Sequence, residues 1–332
     1  MKIGIVKPTA SIAPTGGVKV QGLMWRDGLV TLGHEVILVD FWQNYDWESF
    51  DWIIVLQFGG MFTGVSSGLR KHCKRIACAP IIDPKWNHSI YKFYTKYWGF
   101  HKHLGLTSRF HEMYRNRGCF DLWLVRSEYE ASYVEKCLDI DRKLIRIVPL
   151  QVRVPFVDTM PVKENFCFHA SRLFGPNKNV PRLIKAAKKY NFKLVLAGYL
   201  HGEKEKKWLK DQICGFDNIE YVGTLSEEDL LQYYRRCKVF ALPSTQDGVG
   251  MVALEAAANG AEVVLTKLGA PKDYFQGRAQ LVDPFSIDEI GYAITELMDK
   301  GKSQPELVDF MKKNYTPEVC AKQLEKALMD FI

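Results

Sequence analysis

Short apolar runs alternate with longer amphipathic stretches from one end of the chain to the other. Lys2–Val6, His34–Asp40, Asp51–Gln57, Arg75–Ile82, Asp121–Val125 and Leu144–Pro149 are short and rich in Val, Ile and Leu, which predicts buried strands. A second series follows at Asn165–His169, Lys193–Ala197, Asn218–Val222, Lys238–Pro243 and Ala261–Thr266. Helix signals lie between them. Val18–Leu32 is closed by Gly33, a further helix is expected around Ser66–Cys73, and Ser127, Ser226 and Ser286 each stand three residues before an acid that completes a cap. A last helix is expected from Thr316 to Ile332. Strands that alternate with helices in this way build parallel sheets wound by helices, an α/β fold.

Length changes the picture from one such sheet to two. A chain of 332 residues is long for a single core and comfortable for two domains. The segment Pro149–Val162 carries three prolines and little helical pattern, so the expected division is residues 1–155 and 163–313, with the helix 316–332 packing back on the first domain. The 47% hydrophobic and 25% charged composition is that of a soluble globular protein. Eight cysteines without a C-x-x-C pair argue against a zinc site and for thiols packed as small hydrophobes. With Met1-Lys-Ile-Gly-Ile-Val starting directly as a strand and no apolar run of the roughly 18 residues a bilayer span needs, a cytoplasmic setting is expected.

Candidate chemistry concentrates in Ser244-Thr-Gln-Asp247-Gly248-Val249-Gly250-Met251-Val252-Ala-Leu-Glu255-Ala-Ala-Ala-Asn-Gly260. A buried strand runs into a glycine loop and then an Ala-rich helix closed by Asn259-Gly260. Gly248 and Gly250 let the backbone turn and approach a ligand. The free N–H groups of the helix start make an anion cradle. Asp247 and Glu255 beside that cradle would repel bare phosphate, but suit a ligand with both phosphate and hydroxyl groups, as in a nucleotide sugar. The plain alternative is an ordinary crossover with a solvated Asp and a helix-stabilising Glu.

Acid-Gly-x-Gly, a Glu eight residues after the acid, a small-residue helix and then Gly260-Ala-Glu-Val263-Val264 resemble the signature of family-4 retaining glycosyltransferases (group 1 glycosyltransferases). Ser171-Arg172-Leu173, followed by Lys178 ahead of a Pro181-led helix, resembles that family's second signature. The resemblance is specific over about Phe168–Gly277 and implies a GT-B fold, two Rossmann-like domains with parallel sheets facing across a cleft. It implies that Arg172 and Lys178 stabilise a departing nucleotide diphosphate, that Asp247 orients the transferred sugar, and that Glu255 binds the ribose hydroxyls. Asp247 is one methylene shorter than the family's usual Glu. Gly248, Val249, Gly250, Met251 and Val252 would line the donor, with Thr224 and Leu225 at the nucleobase and Gly16 and Gly17 near the diphosphate. Two cations in place of a metal suit a leaving group on which negative charge grows, so no metal or cofactor is expected beyond the donor. His88 is the best-placed candidate for the family's first-domain histidine. Asp83, in an Ile82-Asp83 pair where the family tends to have His-Asp, is a candidate for the same role.

The first half binds the acceptor in such enzymes, and one stretch of it is unusual. Residues 85–117 carry seven Lys or Arg against the single acid Glu112, in a chain of net charge +7, and seven aromatics fall between Trp86 and Phe100. Basic residues among amphipathic aromatics suit an anionic membrane carrying a lipid-linked glycan acceptor, or a polyanion such as nucleic acid. A buried aromatic helix with a solvated basic face is the plain alternative. Asp139-Ile-Asp141 reads as a polar turn. The expected activity is therefore sugar transfer from a nucleotide diphosphate sugar to a glycan or lipid-linked hydroxyl, at the membrane's cytoplasmic face. A DNA-modifying glucosyltransferase and a non-catalytic nucleotide-sugar-binding protein of the same fold are the alternatives.

Overall fold

The computed structural model describes residues 1–7, 17–57, 62–84, 86–101, 106–300 and 306–331. The chain forms two compact units, Met1–Gln151 with Pro317–Ile332, and Val152–Thr316. Residues 152–162, expected as a linker, therefore belong to the second unit. Its Val157 is buried and donates its N–H to the Ala258 carbonyl (3.2 Å).

In the first unit, β1 (Lys2–Val6), β2 (Glu35–Leu38), β3 (Trp52–Leu56), β4 (Ile76–Ala79), β7 (Leu122–Val125) and β8 (Ile145–Ile147) form one parallel sheet in the order β2-β1-β3-β4-β7-β8. The strand period of two is visible in β3. Ile53 and Val55 enter the core on one face, and Trp52, Ile54 and Leu56 enter the core on the other. All five are fully buried, as a sheet covered on both faces requires. The second face is closed by α1 (Gly17–Thr31) and α13 (Pro317–Met329), whose Leu324, Ala327 and Leu328 pack against Trp25, Leu29 and Trp52. The first face is covered by α2 (Phe62–His72) and α5 (Glu128–Leu138). Ser127 caps α5 by accepting the Glu130 N–H (3.1 Å), as its position predicts.

Between β4 and β7 the basic aromatic stretch forms α3 (His88–Phe93), a π-helical turn (Tyr94–Trp98), a short antiparallel hairpin of β5 (Phe100–His101) and β6 (Leu106–Thr107), and α4 (Arg109–Arg115). Among its described residues the aromatic helix that the plain alternative would bury is not buried. Trp86, Phe93, Tyr94, Tyr97, Trp98 and Phe100 are all exposed, and Tyr91, Thr95 and Gly99 point inward.

The second unit repeats the plan. Its sheet runs β11-β10-β9-β12-β13-β14, all parallel, from β9 (Glu164–Ala170), β10 (Leu194–Ala197), β11 (Ile219–Tyr221), β12 (Cys237–Leu242), β13 (Glu262–Thr266) and β14 (Gln280–Val282). The helices are α6 (Val180–Tyr190), α7 (Gly202–Ile213), α8 (Glu227–Arg236), α9 (Met251–Ala258), α10 (Pro271–Phe275), α11 (Ile287–Lys300) and α12 (Leu307–Asn314). The sequence pattern did not predict α7, α10, α12 or β14. In α7, a run of Lys and Glu hides the period, and only Leu209 of its apolar residues is buried.

Candidate active site in the second unit

The strand order of the second sheet reverses between β9 and β12: β10 and β11 lie to one side, β13 and β14 to the other. Loops leaving the carboxyl ends of two such strands diverge and leave room for a ligand. The chain after β9 begins Ser171-Arg172, and the chain after β12 begins Pro243-Ser244. Both candidate motifs thus meet at the switch point because of the fold, although 69 residues separate Lys178 from Asp247.

The two loops are sewn together by backbone and amide groups. Thr245 N donates to Asn177 O (2.9 Å), Asn177 Nδ2 to Gln246 O (3.1 Å), and Asn179 Nδ2 to Pro243 O (2.9 Å). Asn179 is left-handed (φ 60°) and leads into α6, with Pro181 in its first turn. Neighbouring Gly198 has φ +146°, and a Cβ there would lie 1.7 Å from Ser171 O. Only glycine lets the carboxyl end of β10 approach the Ser171-Arg172 turn so closely.

Lys178 and Asp247 form an ion pair, Nζ to Oδ2 2.6 Å, with both side chains mostly buried. Ser244 Oγ donates to the same oxygen (3.3 Å), and Gly248 N donates to Oδ1 (3.0 Å). Both oxygens of Asp247 are therefore held within the loop. Gly250 is the left-handed residue (φ 72°) from which α9 starts, whereas Gly248 is not among the positive-φ glycines. The first-turn N–H groups of α9, at Met251 and Val252, have no intrahelical acceptor by construction. Val249 is buried, while Gly248, Met251 and Val252 are half-buried at the loop. Arg172 is far more open, its side chain 68% exposed and its nearest acid, Glu205, 3.7 Å away.

Glu255 lies one turn into α9 and is 1% exposed. Its Oε1 accepts from Arg153 Nε (2.7 Å) and lies 2.5 Å from Arg153 Nη2, and its Oε2 accepts from Tyr234 Oη (3.1 Å). Burial raises the Glu255 carboxyl above its ordinary range, and the Arg153 guanidinium opposes that shift. Lys163 donates to the carbonyls of Tyr234, Arg235 and Asn259, tying together the C-terminal ends of α8 and α9. Sequence reasoning missed Arg153 and Tyr234. The only local sign of Arg153 was a charge within an otherwise apolar Val-Arg-Val.

Beneath the Arg172 turn, His169 is fully buried on β9. Its Nδ1 faces the Ala241 carbonyl (2.7 Å), which can only accept, so Nε2 accepts from Ser171 Oγ (2.7 Å). Burial pushes the His169 pKa down to about 4, and nearby Lys178 adds to that effect. Thr224 and Leu225 follow β11, with Thr224 exposed. Among the described residues, no three His, Cys, Asp or Glu side chains cluster as a metal site needs.

The remaining candidates belong to the first unit. Gly16 lies outside the described residues, and Gly17 is the exposed first residue of α1. His88 stacks on Tyr133 (centroids 4.0 Å apart) and bonds through Nε2 to Ser132 Oγ (2.8 Å), so it fixes α3 on α5. Burial, reinforced by Lys136, lowers its pKa. Asp83 pairs with the buried Arg126 (2.7 Å), which Glu130 also holds. Asp139 is the left-handed C-cap of α5 and Asp141 caps the following 3-10 turn, each with lysine partners.

Comparison with known proteins places this geometry. The chain superposes on sucrose-phosphate synthase from Thermosynechococcus elongatus with a TM-score of 0.73, 14% identity and 99% of each chain covered. It superposes on HepE from Anabaena in complex with UDP with a TM-score of 0.75, 15% identity, and 99% and 100% covered. The likeness establishes the fold as GT-B, built from two parallel-sheet Rossmann-like units. In sequence, a glycosyltransferase of Methanocaldococcus jannaschii is 35% identical over 98 residues, 29% of this chain and 27% of the relative. The chain spans between about a quarter and a half of the length of the curated relatives it matches. The family profile described as Glycosyl transferases group 1 matches residues 155–314, and that segment carries Arg172, Lys178, Asp247 and Glu255 together.

Proposed function

We propose that the protein is a retaining glycosyltransferase that moves a hexose from a nucleotide diphosphate sugar to an acceptor hydroxyl without a metal. The observation that carries this reading is the meeting of Lys178 and Asp247 at the switch point, beside the N-terminus of α9. A diphosphate laid across that helix start meets orphan N–H groups, the positive end of the helix dipole, and two side-chain cations. Arg172 and Lys178 take up the negative charge that grows on the diphosphate as the bond to the sugar breaks. Asp247, held against Lys178 in the same loop, orients the sugar. Glu255 receives the ribose hydroxyls, which requires Arg153 to turn aside from the carboxylate. The incoming hydroxyl attacks from the side the leaving diphosphate vacates, and its proton passes to that diphosphate. Charge, configuration and atoms balance without a group from the protein entering a covalent bond. A glycan or lipid-linked sugar is the acceptor.

A panel of UDP, GDP and ADP sugars tests the reading by two measurements, hydrolysis and thermal stabilisation. One donor class should raise the melting temperature and release its nucleotide diphosphate, and the released sugar should keep its anomeric configuration when trapped by a simple alcohol. A protein that binds a nucleotide sugar tightly yet never turns it over is instead a binding protein of this fold.

A further inference from the structure

The first unit carries an exposed surface that the transfer chemistry does not use. Along α3 and the π-helical turn, Tyr91, Thr95 and Gly99 form the inward stripe, one residue in four. The outward residues are aromatic instead of polar: Tyr97 is 73% exposed, Trp98 56%, and Trp86, Phe93 and Tyr94 are exposed as well. They form one connected patch. Trp86 stacks on Tyr94 at 4.8 Å, and the Phe93 ring lies 6.1, 5.9 and 6.3 Å from those of Tyr94, Tyr97 and Trp98. Five half-exposed aromatics amount to several hundred Å² of ring surface, at roughly 150–250 Å² for each whole side chain, and a patch of that size on a soluble unit marks an interaction site.

Charge identifies the partner. The surrounding segment, residues 85–117, has seven Lys or Arg and one acid. A second copy of this chain would bring like charge against like charge, which specific interfaces avoid. An anionic lipid surface complements it, and Trp and Tyr suit the headgroup layer because each has an apolar body and a polar tip. Both Lys92 and Lys96 pair with Asp139, Lys96 mostly covered and Lys92 exposed beside the rings, so the rings supply the apolar contact and part of the local positive charge is already balanced.

We propose that Trp86, Phe93, Tyr94, Tyr97 and Trp98 dock the protein on an anionic membrane by inserting their rings into the headgroup region, with the basic charge around them steering the approach. Presentation of a lipid-linked acceptor by such docking rests on the glycosyl-transfer reading; the docking itself does not.

The test is co-sedimentation of the whole chain with vesicles of phosphatidylcholine containing phosphatidylglycerol, and with phosphatidylcholine alone, without any nucleotide sugar. The protein should bind the anionic vesicles with a blue shift of tryptophan emission. The double variant Tyr97→Ser/Trp98→Ser, at exposed positions that leave the core untouched, should lower the partition constant by about a hundredfold. Tyr292→Ser, exposed on the second unit, should change nothing. Lys92→Gln and Lys96→Gln should each cost no more than about fivefold. The proposal is overturned if the protein ignores anionic vesicles at low salt, or if the lysine variants release it while the aromatic variant stays bound. It is also overturned if sedimentation velocity shows a dimer that the aromatic variant dissolves, which would give the patch to a second copy. Calorimetry with UDP and GDP on the same variants separates the two readings, since nucleotide binding should survive every one of these changes.

Discussion

Asp247→Asn separates the two roles that meet at the Lys178–Asp247 pair. In the structure the carboxylate pairs with Lys178 at 2.6 Å, so under the proposed reading it competes with an incoming diphosphate for that cation. Asparagine keeps the size and an acceptor for the Gly248 N–H but removes the charge. The pair lies between exposed ion pairs, worth up to about 1 kcal/mol, and buried ones, where removing one partner costs about 3–5 kcal/mol. The variant should therefore be less stable by about 1–3 kcal/mol when nothing is bound. Free nucleotide diphosphate then meets an unpaired Lys178. A hydrogen bond to a charged group contributes about 1.5–3 kcal/mol, so affinity for UDP or GDP should hold or rise, by up to about tenfold once the competing carboxylate is gone. Turnover should fall by about a hundredfold, the scale of losing one oriented contact to the transferred sugar. Calorimetry with UDP and GDP gives the first quantity and donor hydrolysis the second. A tenfold loss of nucleotide affinity would show that Asp247 supports Lys178 and does not compete for it. Turnover within twofold of the parent would remove Asp247 from the chemistry.

Three other outcomes follow from the same geometry. Arg172→Ala should lower turnover by about a hundredfold, or ~3 kcal/mol, and leave the melting temperature unchanged because the side chain is 68% exposed; a parent-like rate would exclude Arg172 from the mechanism. Arg153→Met strands the buried Glu255 without its cation, at about 3–5 kcal/mol. Because the folded Glu255 carboxyl is already raised above 4.5 and losing Arg153 raises it further, the loss should grow as pH rises and shrink as pH falls and both folded proteins protonate Glu255, which denaturant titration across that range would show. His169 is neutral and buried with a pKa of about 4 against 6.5 unfolded. The unfolded chain thus binds the extra proton between those values, and stability should fall by about 3 kcal/mol as pH drops from 6.5 through 4; if His169→Gln keeps the same acid slope, the imidazole is not its source.

What could be read from the chain alone was local. The short apolar runs of the strands, the Ser caps at 127, 226 and 286, the glycine turn at Gly250 and the Asn259-Gly260 stop all depend on neighbours a few residues apart. They were enough for parallel sheets wound by helices and for the strand–loop–helix at Asp247, whose chemistry resides in one continuous stretch. The tertiary structure decided every partnership across distance. Glu255 faces Arg153, 102 residues away, and Lys178 faces Asp247, because strand order places β9 beside β12 and no sequence period encodes that order. It also drew Arg153 out of an expected linker into the second unit, and assigned His88 to a stacked, hydrogen-bonded position on α5. The basic aromatic stretch shows the limit most plainly. Its composition announced an amphipathic segment, but which side would face water depended on what lay beneath it. With Tyr91, Thr95 and Gly99 turned inward, the aromatic rings were left outside.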